Sequence, residues 1–372
     1  MSEALKASVQ KLISHAGIKI NGPDPWDIKV HNERFYGRFL SGGSLALGES
    51  YMDGWWDVEK LDEFFNKIFS SKIEKKIRIS IPAISLFLRA TILNTQNKIR
   101  AKKVAKEHYD LSHELYESFL DPYNQYTCGY WEKSKNLNDA QEAKLHLICK
   151  KLKLSPKDKV LDIGCGWGGF AKFASKNYKC HVTGITISDE QFKYAEKDCQ
   201  GLPVKIIKLD YRDLKGKYDK ILICGMLEHV GYKNYKTLMK IIHKSLKDDG
   251  LFLLHTIGKN TSSTIGDPWI DKYIFPNGMF PSVKQIGDSI EGLFIMEDWH
   301  NFGADYDKTL MAWFENFEKN WSKIKKNYDK KFYRMWKYYL LVFAGSFRSR
   351  KNQLWQLVLS KKGIEGGYKS VR

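Results

Sequence analysis

The sequence is poor in features that mark several whole classes of protein. Its 372 residues include only 9 prolines and 6 cysteines. No two cysteines form a CxxC pair, and none stands near a histidine cluster with zinc-ligand spacing. These absences exclude a disulfide-stapled scaffold and a cysteine-based zinc site, and we expect free thiols in a reducing cytosol. Because 43% of the residues are hydrophobic, a mainly disordered chain is excluded as well.

Long uncharged apolar runs are also missing. No stretch reaches the ~18 residues that a transmembrane helix needs. The best candidate, 79–93, is interrupted by Pro82 and Arg89, and the run 338–347 is too short. The first residues contain no apolar segment long enough for a secretory signal. We therefore expect a cytoplasmic protein that, if it meets a membrane, lies on the inner face of the cytoplasmic membrane.

Negative charge is scarce in two segments. The chain has 61 Lys and Arg against 43 Asp and Glu, a net charge of +18. Residues 319–372 hold 15 basic and 2 acidic residues, and 72–103 hold 9 and 1, whereas the rest of the chain is close to neutral. Both segments interleave basic with apolar residues, a pattern that is typical of protein segments that bind anionic lipid surfaces. Nucleic acid is the alternative polyanion, but no RNP-like, zinc or base-stacking motif supports it.

Apolar runs that alternate with helical segments fill the chain from about residue 107. The predicted strands are 160–163, 182–185, 204–208, 220–224 and 251–255, and the helices between them are 170–177, 190–199 and 235–246. This order predicts a doubly wound parallel α/β sheet, whose ligands bind at the carboxyl ends of the strands. Residues 1–70 are predicted to form a small α-rich domain, 71–106 a basic helical linker, and 107–372 the sheet-bearing domain.

A glycine-rich loop closes the first predicted strand and opens a helix. It reads GCGWGG over 164–169 and satisfies the GxGxxG spacing of nucleotide-type sites. A dinucleotide site would need an acid at the end of the second strand, but 184–188 reads GITIS. Asp162 before the glycines, and Asp210 with Tyr211 after the third strand, fit S-adenosylmethionine (SAM) better. A tight βα turn without a ligand is the alternative interpretation.

Nine short segments carry a more specific resemblance. They are GESYMDGWW at 48–56, EHYDL at 107–111, QYTCGYW at 125–131, LDIGCGWGG at 161–169, DYRD at 210–213, EHVG at 228–231, HTIG at 255–258, YIFPNG at 273–278 and EDWHNFGADY at 297–306. Together they resemble the cyclopropane fatty acid synthases and the related mycolic acid cyclopropane synthases, over essentially the whole chain. The resemblance implies a Rossmann-like SAM-dependent methyltransferase that transfers a methylene to the cis double bond of an unsaturated phospholipid acyl chain.

The resemblance also implies the residues of two sites. The implied SAM-binding residues are Tyr126, Thr127, Asp162, Gly164, Cys165, Gly166, Trp167, Gly168, Thr186, Ile187, Ser188, Gln191, Asp210 and Tyr211. The residues implied to hold a bicarbonate ion are Cys128, Glu228, His255, Ile257 through its backbone, and Tyr306. No metal is expected. Relatives often carry Ser at the position of Thr127, and we expect little consequence because the hydroxyl survives. They often carry Ala at the position of Gly129, and we expect glycine there to leave the Cys128 position intact but its backbone looser.

The chemistry explains why such residues are needed. An alkene is a poor nucleophile, so it must be held in line with the sulfonium methyl. The carbocation that follows needs a dry site, and aromatic ring faces can stabilise it. The candidate rings are Phe275, Trp299, Phe302, Tyr306, Trp313 and Phe317. Bicarbonate is then expected to act as the base that allows ring closure, with Glu228 accepting its O–H or orienting His255.

Several alternatives stay open at this point. A related enzyme could stop at methyl addition without ring closure, and a lipid-binding module without activity would not need the glycine loop. Taken singly, Cys128 and Tyr306 would be ordinary core residues, and we interpret His229 and His300 as structural. The segment 48–56 is interpreted as packing or a dimer contact rather than a lipid contact. The N-terminal domain is expected either to recognise lipid or to pair two protomers in a homodimer.

Overall fold

The structure is a computed structural model that describes residues 2–73 and 113–372. Almost all of the predicted linker 71–106 and of the basic segment 72–103, together with the motif at 107–111, lies outside the described residues. The described chain forms two compact units. The first unit contains 2–73, 264–278 and 306–352, and the second contains 113–263, 279–305 and 353–372.

Twelve helices and nine strands are numbered here in chain order over the described residues. The helices are α1 Ser2–Ser14, α2 Arg34–Met52, α3 Leu61–Ser70, α4 His113–Phe119, α5 Leu137–Lys151, α6 Gly169–Tyr178, α7 Asp189–Asp198, α8 Tyr235–Ser245, α9 Pro268–Tyr273, α10 Val283–Ile290, α11 Ala304–Ile324 and α12 Lys330–Arg348. The strands are β1 Lys29–Val30, β2 Trp56–Asp57, β3 Lys159–Ile163, β4 His181–Thr186, β5 Val204–Lys208, β6 Tyr218–Cys224, β7 Leu246–Lys259, β8 Ile295–Asn301 and β9 Asn352–Ser360. None of these helices is long and apolar enough to span a bilayer.

The first unit packs its helices around an aromatic core. Trp56 is fully buried, and its indole N–H donates to the carbonyl of Leu47 at 3.1 Å and to the hydroxyl of Ser50 at 3.1 Å. Tyr338 of α12 lies 5.4 Å from the Tyr51 ring, measured between centroids. The aromatic run 333–343 therefore belongs largely to the core. Gly42-Gly43 could be expected to stop a helix, but α2 only breaks at Gly43 (φ 57°, ψ −137°) and then resumes to Met52.

The second unit is built on a seven-stranded sheet in the order β5-β4-β3-β6-β7-β9-β8. The strands from β5 to β7 are parallel, whereas β8 and β9 pair antiparallel at the far edge. Helices alternate with the parallel strands, so the predicted doubly wound α/β fold is confirmed. All five predicted strands are present, and β8 and β9 are additional.

The strand order locates a crevice. The chain runs outward from β3 to β4 and β5, then returns to place β6 on the other side of β3. The connection that follows β3 therefore leads to one side of the sheet and the connection that follows β6 leads to the other. The position between β3 and β6 is the switch point where such sheets bind ligands. The carboxyl ends at this point are followed by the glycine loop after β3 and by Gly225 after β6.

Candidate active site

The glycine loop adopts a backbone conformation that is unfavourable for residues other than glycine. Gly164, Gly166 and Gly168 have φ values of 78°, 54° and 82°, in the left-handed region that favours glycine. The amide of Gly164 donates to the carbonyl of Ile185 at 2.9 Å, which ties the loop to β4. A Cβ on Gly169 would lie 1.9 Å from the carbonyl oxygen of Tyr123. Gly169 therefore allows close packing against Tyr123, whereas a Cβ on Gly166 would meet nothing within 4 Å, which leaves open space for a ligand beside the loop.

The end of β4 is held by side-chain hydrogen bonds. The hydroxyl of Thr186 donates to Oε1 of Gln191 at 2.8 Å, and Ser188 caps α7 by accepting from the amide of Gln191. The bond to Thr186 uses the amide oxygen of Gln191, so its nitrogen keeps its donors for a ligand. Ile187 lies between these residues in the chain. This predicted part of the SAM site is thus brought together at the strand end.

Asp210 and Tyr211 form a turn after β5. The Asp210 carboxylate accepts from the amide of Arg212 at 2.9 Å and from its guanidinium at 2.8 Å. The guanidinium lies 4.7 Å from the Tyr211 ring centroid. The Tyr211 hydroxyl is buried and has no partner among residues 2–73 and 113–372. Arg212, which sequence reasoning did not select, therefore orders both residues.

Asp162, Cys165 and Trp167 have different surroundings. Asp162 is buried in β3, and burial raises the pKa of its carboxyl to about 7, against the opposing attraction of Lys144. Cys165 packs in a small core cluster with Ala195. The Trp167 ring lies among the aromatic side chains of His113, Tyr116 and Tyr194. Cys165 therefore serves packing, whereas Asp162 places a titratable acid beside the loop.

Helix α5 holds the segment that contains Tyr126, Thr127 and Cys128. The side-chain amide of Gln141 donates to the carbonyl of Thr127 at 2.8 Å, and the ammonium of Lys144 donates to the Thr127 hydroxyl at 2.9 Å. Cys128 is fully buried. Sequence reasoning missed Gln141 and Lys144, because a polar residue in a helical segment is ordinarily solvent-exposed.

Glu228, just after β6, and His255, on the neighbouring strand β7, are two buried polar residues of the second unit, called here the Glu228–His255 pair. Glu228 follows β6, and its Oε1 accepts from the backbone amide of Ile257 at 2.7 Å. Burial raises the pKa of Glu228 to about 7 and lowers that of His255 well below its usual value. Residues 255 and 257 lie on the same face of β7 because side chains alternate along a strand. The Ile257 amide, implied to face the anion, is thus used by Glu228 in this structure.

Gln356 of β9 is the residue that orients the histidine, and sequence reasoning missed it. Its side-chain nitrogen lies 3.2 Å from Nδ1 of His255. With that nitrogen as the donor, Nδ1 accepts and Nε2 carries the hydrogen of a neutral imidazole. The only sequence signal was a glutamine at an otherwise apolar position of a buried run, since all nine residues of β9 are buried.

Two buried polar atoms of this pair have no partner within 2–73 and 113–372. They are Oε2 of Glu228 and Nε2 of His255. Leaving such a group unpaired costs about 1–3 kcal/mol. One acceptor and one donor in an apolar setting fit a small anion that carries one O–H, and bicarbonate has that composition. In the described part of the chain, no group of three or more His, Cys, Asp or Glu side chains could hold a metal ion.

Tyr306 and most of the candidate rings lie in the first unit. The Tyr306 ring packs on Phe347 at 4.6 Å and on Trp313 at 5.9 Å, measured between centroids. Phe275 and Phe317 belong to the same unit. In the second unit, Phe302 lies 6.0 Å from His255 and Trp299 lies 5.2 Å from Trp355, again between ring centroids. The structure therefore brings Phe302 to His255, and the role of Tyr306 stays a prediction.

Comparison with known proteins identifies the family to which the chain belongs. The family model of mycolic acid cyclopropane synthetase matches residues 96–357. The chain belongs to this family. It is 52% identical over 362 residues to a cyclopropane-fatty-acyl-phospholipid synthase of Escherichia coli strain K12, a match that covers 97% of this chain and 94% of the relative. It is also 36% identical to a probable fatty acid methyltransferase of Pseudomonas putida, over 93% of this chain and 90% of the relative.

Solved structures agree with the family assignment. A cyclopropane synthase from Mycobacterium tuberculosis superposes with a TM-score of 0.66 at 28% identity, covering 70% of this chain and 98% of that one. A mycolic acid cyclopropane synthase solved with S-adenosylhomocysteine gives a TM-score of 0.65, with the same identity and coverage. The resemblance drawn from the nine sequence segments is therefore confirmed, and the sheet of the second unit is that of the SAM-dependent methyltransferases.

Proposed function

We propose that this chain transfers a methylene group from SAM to the cis double bond of an unsaturated phospholipid acyl chain and forms a cyclopropane ring. The observation that carries the proposal is the site at the switch point between β3 and β6. There a left-handed glycine loop lies one strand away from a buried Glu228–His255 pair. Membership of the family supports the same reaction, as does the extent of the match to the synthase of Escherichia coli.

The reaction forms two C–C bonds and a bond between a base and a proton, and it breaks the C–S bond, the π bond of the alkene and one C–H bond. SAM supplies an electrophilic methyl group on a sulfonium. An alkene carbon attacks this methyl, the C–S bond breaks with its electrons going to sulfur, and the other alkene carbon becomes a cation. Loss of a proton from the new methyl group then lets its C–H electrons close the ring. The chain's task is to hold the reactants in line and to keep water away from the cation.

The Glu228–His255 pair is proposed to hold bicarbonate as the proton acceptor. His255 would donate through Nε2, and Oε2 of Glu228 would accept the O–H of the ion, which satisfies both buried atoms without a partner. When bound, bicarbonate would supply the base that takes the proton of the new methyl group, and this proton would pass to solvent after turnover. Cys128 and Tyr306 are proposed as further members of this set. Phe302, beside His255, offers a ring face that would favour a nearby cation.

A basic surface of the first unit is proposed to dock on anionic phospholipid at the inner face of the cytoplasmic membrane. The exposed lysines of this surface cluster between the end of α11 and the start of α12, and they are Lys319, Lys323, Lys325, Lys326 and Lys330. At about 1 kcal/mol per basic residue near such a surface, five residues would contribute about 5 kcal/mol. We also propose that the N-terminal domain recognises lipid or pairs two protomers.

The test is incubation of the protein with SAM and vesicles of unsaturated phosphatidylglycerol, followed by mass analysis of the acyl chains. The proposal predicts acyl chains heavier by one CH₂ group, with S-adenosylhomocysteine formed in equal amount. A methyltransferase without ring closure would give the same mass gain but leave a double bond beside a methyl branch, so cleavage of the modified chains by ozone would identify it. Unmodified lipid, with protein that binds SAM, would refute the lipid substrate.

A further inference from the structure

Lys144 is a fully buried lysine on α5 with an unusual set of partners. Its side chain is 0% exposed. Its ammonium donates to Oε1 of Gln125 at 2.5 Å and to Oγ1 of Thr127 at 2.9 Å, and both acceptors are neutral. Within 2–73 and 113–372 no carboxylate lies at ion-pair distance from this ammonium, and the acids Asp121 and Asp162 attract it from farther away. Burying an ammonium with no carboxylate in contact is unfavourable, so its retention calls for a reason.

The Thr127 hydroxyl transmits the effect of this lysine. Its oxygen accepts from Lys144 and also from the thiol of Cys224, whose Sγ lies 3.6 Å away. Because the ammonium of Lys144 has no lone pair, the Thr127 oxygen accepts from it and the hydroxyl hydrogen is available to donate. Lys144 therefore fixes Thr127 as a donor rather than an acceptor. The side-chain amide of Gln141 fixes the backbone of the same residue through its carbonyl.

Thr127 stands at the switch point of the sheet. Gly225, which follows the last residue of β6, lies so close that a Cβ there would be 2.6 Å from Cγ2 of Thr127. The next residue, Met226, is equally close to Gly164 of the glycine loop, with 2.9 Å from its Cγ to a Cβ built there. The donor hydroxyl and the buried cation behind it therefore border the crevice that the glycine loop opens.

The positive charge of Lys144, behind Thr127, favours one end of SAM over the other. SAM carries a sulfonium and an ammonium, which a buried cation repels, and one carboxylate, which it attracts. We propose that Lys144 is a positioning residue that acts through Thr127 to bind the carboxylate of SAM. The inference rests on the proposed function, because it takes SAM as the ligand. The carboxylate would balance the buried ammonium, and its position would set where the methyl group lies.

The experiment compares two ligands that differ at this end. S-adenosylhomocysteine has the carboxylate, whereas 5′-methylthioadenosine keeps the adenosine and sulfur but lacks the amino-acid end. Calorimetry with Lys144→Gln should show S-adenosylhomocysteine binding at least ~10-fold more weakly, since a charge-assisted interaction is lost. Binding of methylthioadenosine should change less than ~2-fold, because it has no carboxylate for the pair to hold. Lys150→Gln, at an exposed position of the same helix, is the matched control.

A second variant keeps the test decisive if Lys144→Gln does not fold. Thr127→Val should show the same selectivity between the ligands, and Thr127→Ser should restore wild-type binding. In the double variant the two losses should not add, since both residues act on one group. Equal weakening of both ligands, or no weakening of either, would overturn the inference. Wild-type protein that binds neither ligand would instead refute the proposed function.

Discussion

Replacing Glu228 by Gln should separate stability from activity. The carboxyl of Glu228 is buried, and burial raises its pKa from 4.5 to about 7. Glutamine has nearly the same shape, and its Oε1 can still accept from the amide of Ile257. The substitution therefore removes the buried charge while it preserves the local hydrogen bond.

The magnitude follows from the pKa of Glu228. The shift is about 2.5 units, and at 1.36 kcal/mol per unit it corresponds to about 3 kcal/mol. Because the pKa is raised in the folded state, that state binds the proton more tightly than the unfolded state does. Its contribution to stability is present in full below pH 4.5 and is lost as the pH rises to about 7 and above. Glu228→Gln escapes this loss and should be more stable than the wild type at pH 8 by up to about 3 kcal/mol.

The assay is denaturant unfolding of the wild type and Glu228→Gln at pH 5 and pH 8, followed by turnover with SAM and vesicles. The stability gain should be large at pH 8 and small at pH 5, while turnover falls by about 10²-fold. Glu196→Gln, on the exposed face of α7, should change neither quantity. A gain of the same size at both pH values, or a loss at pH 8, would refute the argument that burial of this charge governs its pKa.

Three further predictions concern packing, histidine orientation and the anion. Gly258→Ala should destabilise the protein by about 1–3 kcal/mol, since the new Cβ would lie 2.1 Å from Cζ3 of Trp355. Gly287→Ala, in open space on α10, should stabilise it by about 0.5–1 kcal/mol. Denaturant unfolding measures the free energy of unfolding of both variants. Gln356→Leu leaves Nδ1 of His255 without its partner, so turnover should fall while SAM affinity by calorimetry stays unchanged; equal loss of both would indicate a structural role. Removing bicarbonate from the assay should slow the wild type, and restoring it should recover the rate; no response would contradict the proposed base.

The parallel part of the fold could be predicted from the sequence because its strands are short apolar runs with turn residues at both ends. Such strands are buried on both faces and need no knowledge of their neighbours to be recognised. The strand β5 was predicted with its observed bounds, Val204–Lys208. The antiparallel pair β8 and β9 was not predicted. β8 has mixed polarity, IMEDWHN, and β9 pairs with it across about 50 residues of helix, which no local pattern encodes.

Site residues that belong to a sequence motif could be predicted, whereas site residues that depend on tertiary contacts could not. The glycine loop and the segment containing Glu228 could be recognised from short runs of residues. Lys144 and Gln356 could not, because each owes its role to a partner far along the chain or to burial that its own neighbours do not indicate. Lys144 stands in a helix that is basic at its end, where an exposed lysine is the ordinary expectation. Its significance comes from the segment at Thr127 that packs over it.

Ring closure after methyl transfer to lipid can be followed with SAM that carries a trideuterated methyl group. Protein, labelled SAM and unsaturated phospholipid vesicles are incubated together, and the deuterium content of the modified acyl chains is measured by mass spectrometry. We expect each modified chain to keep two deuterium atoms and to contain a cyclopropane ring, because the base removes the third. Modified chains that keep all three deuterium atoms in a methyl branch would contradict it.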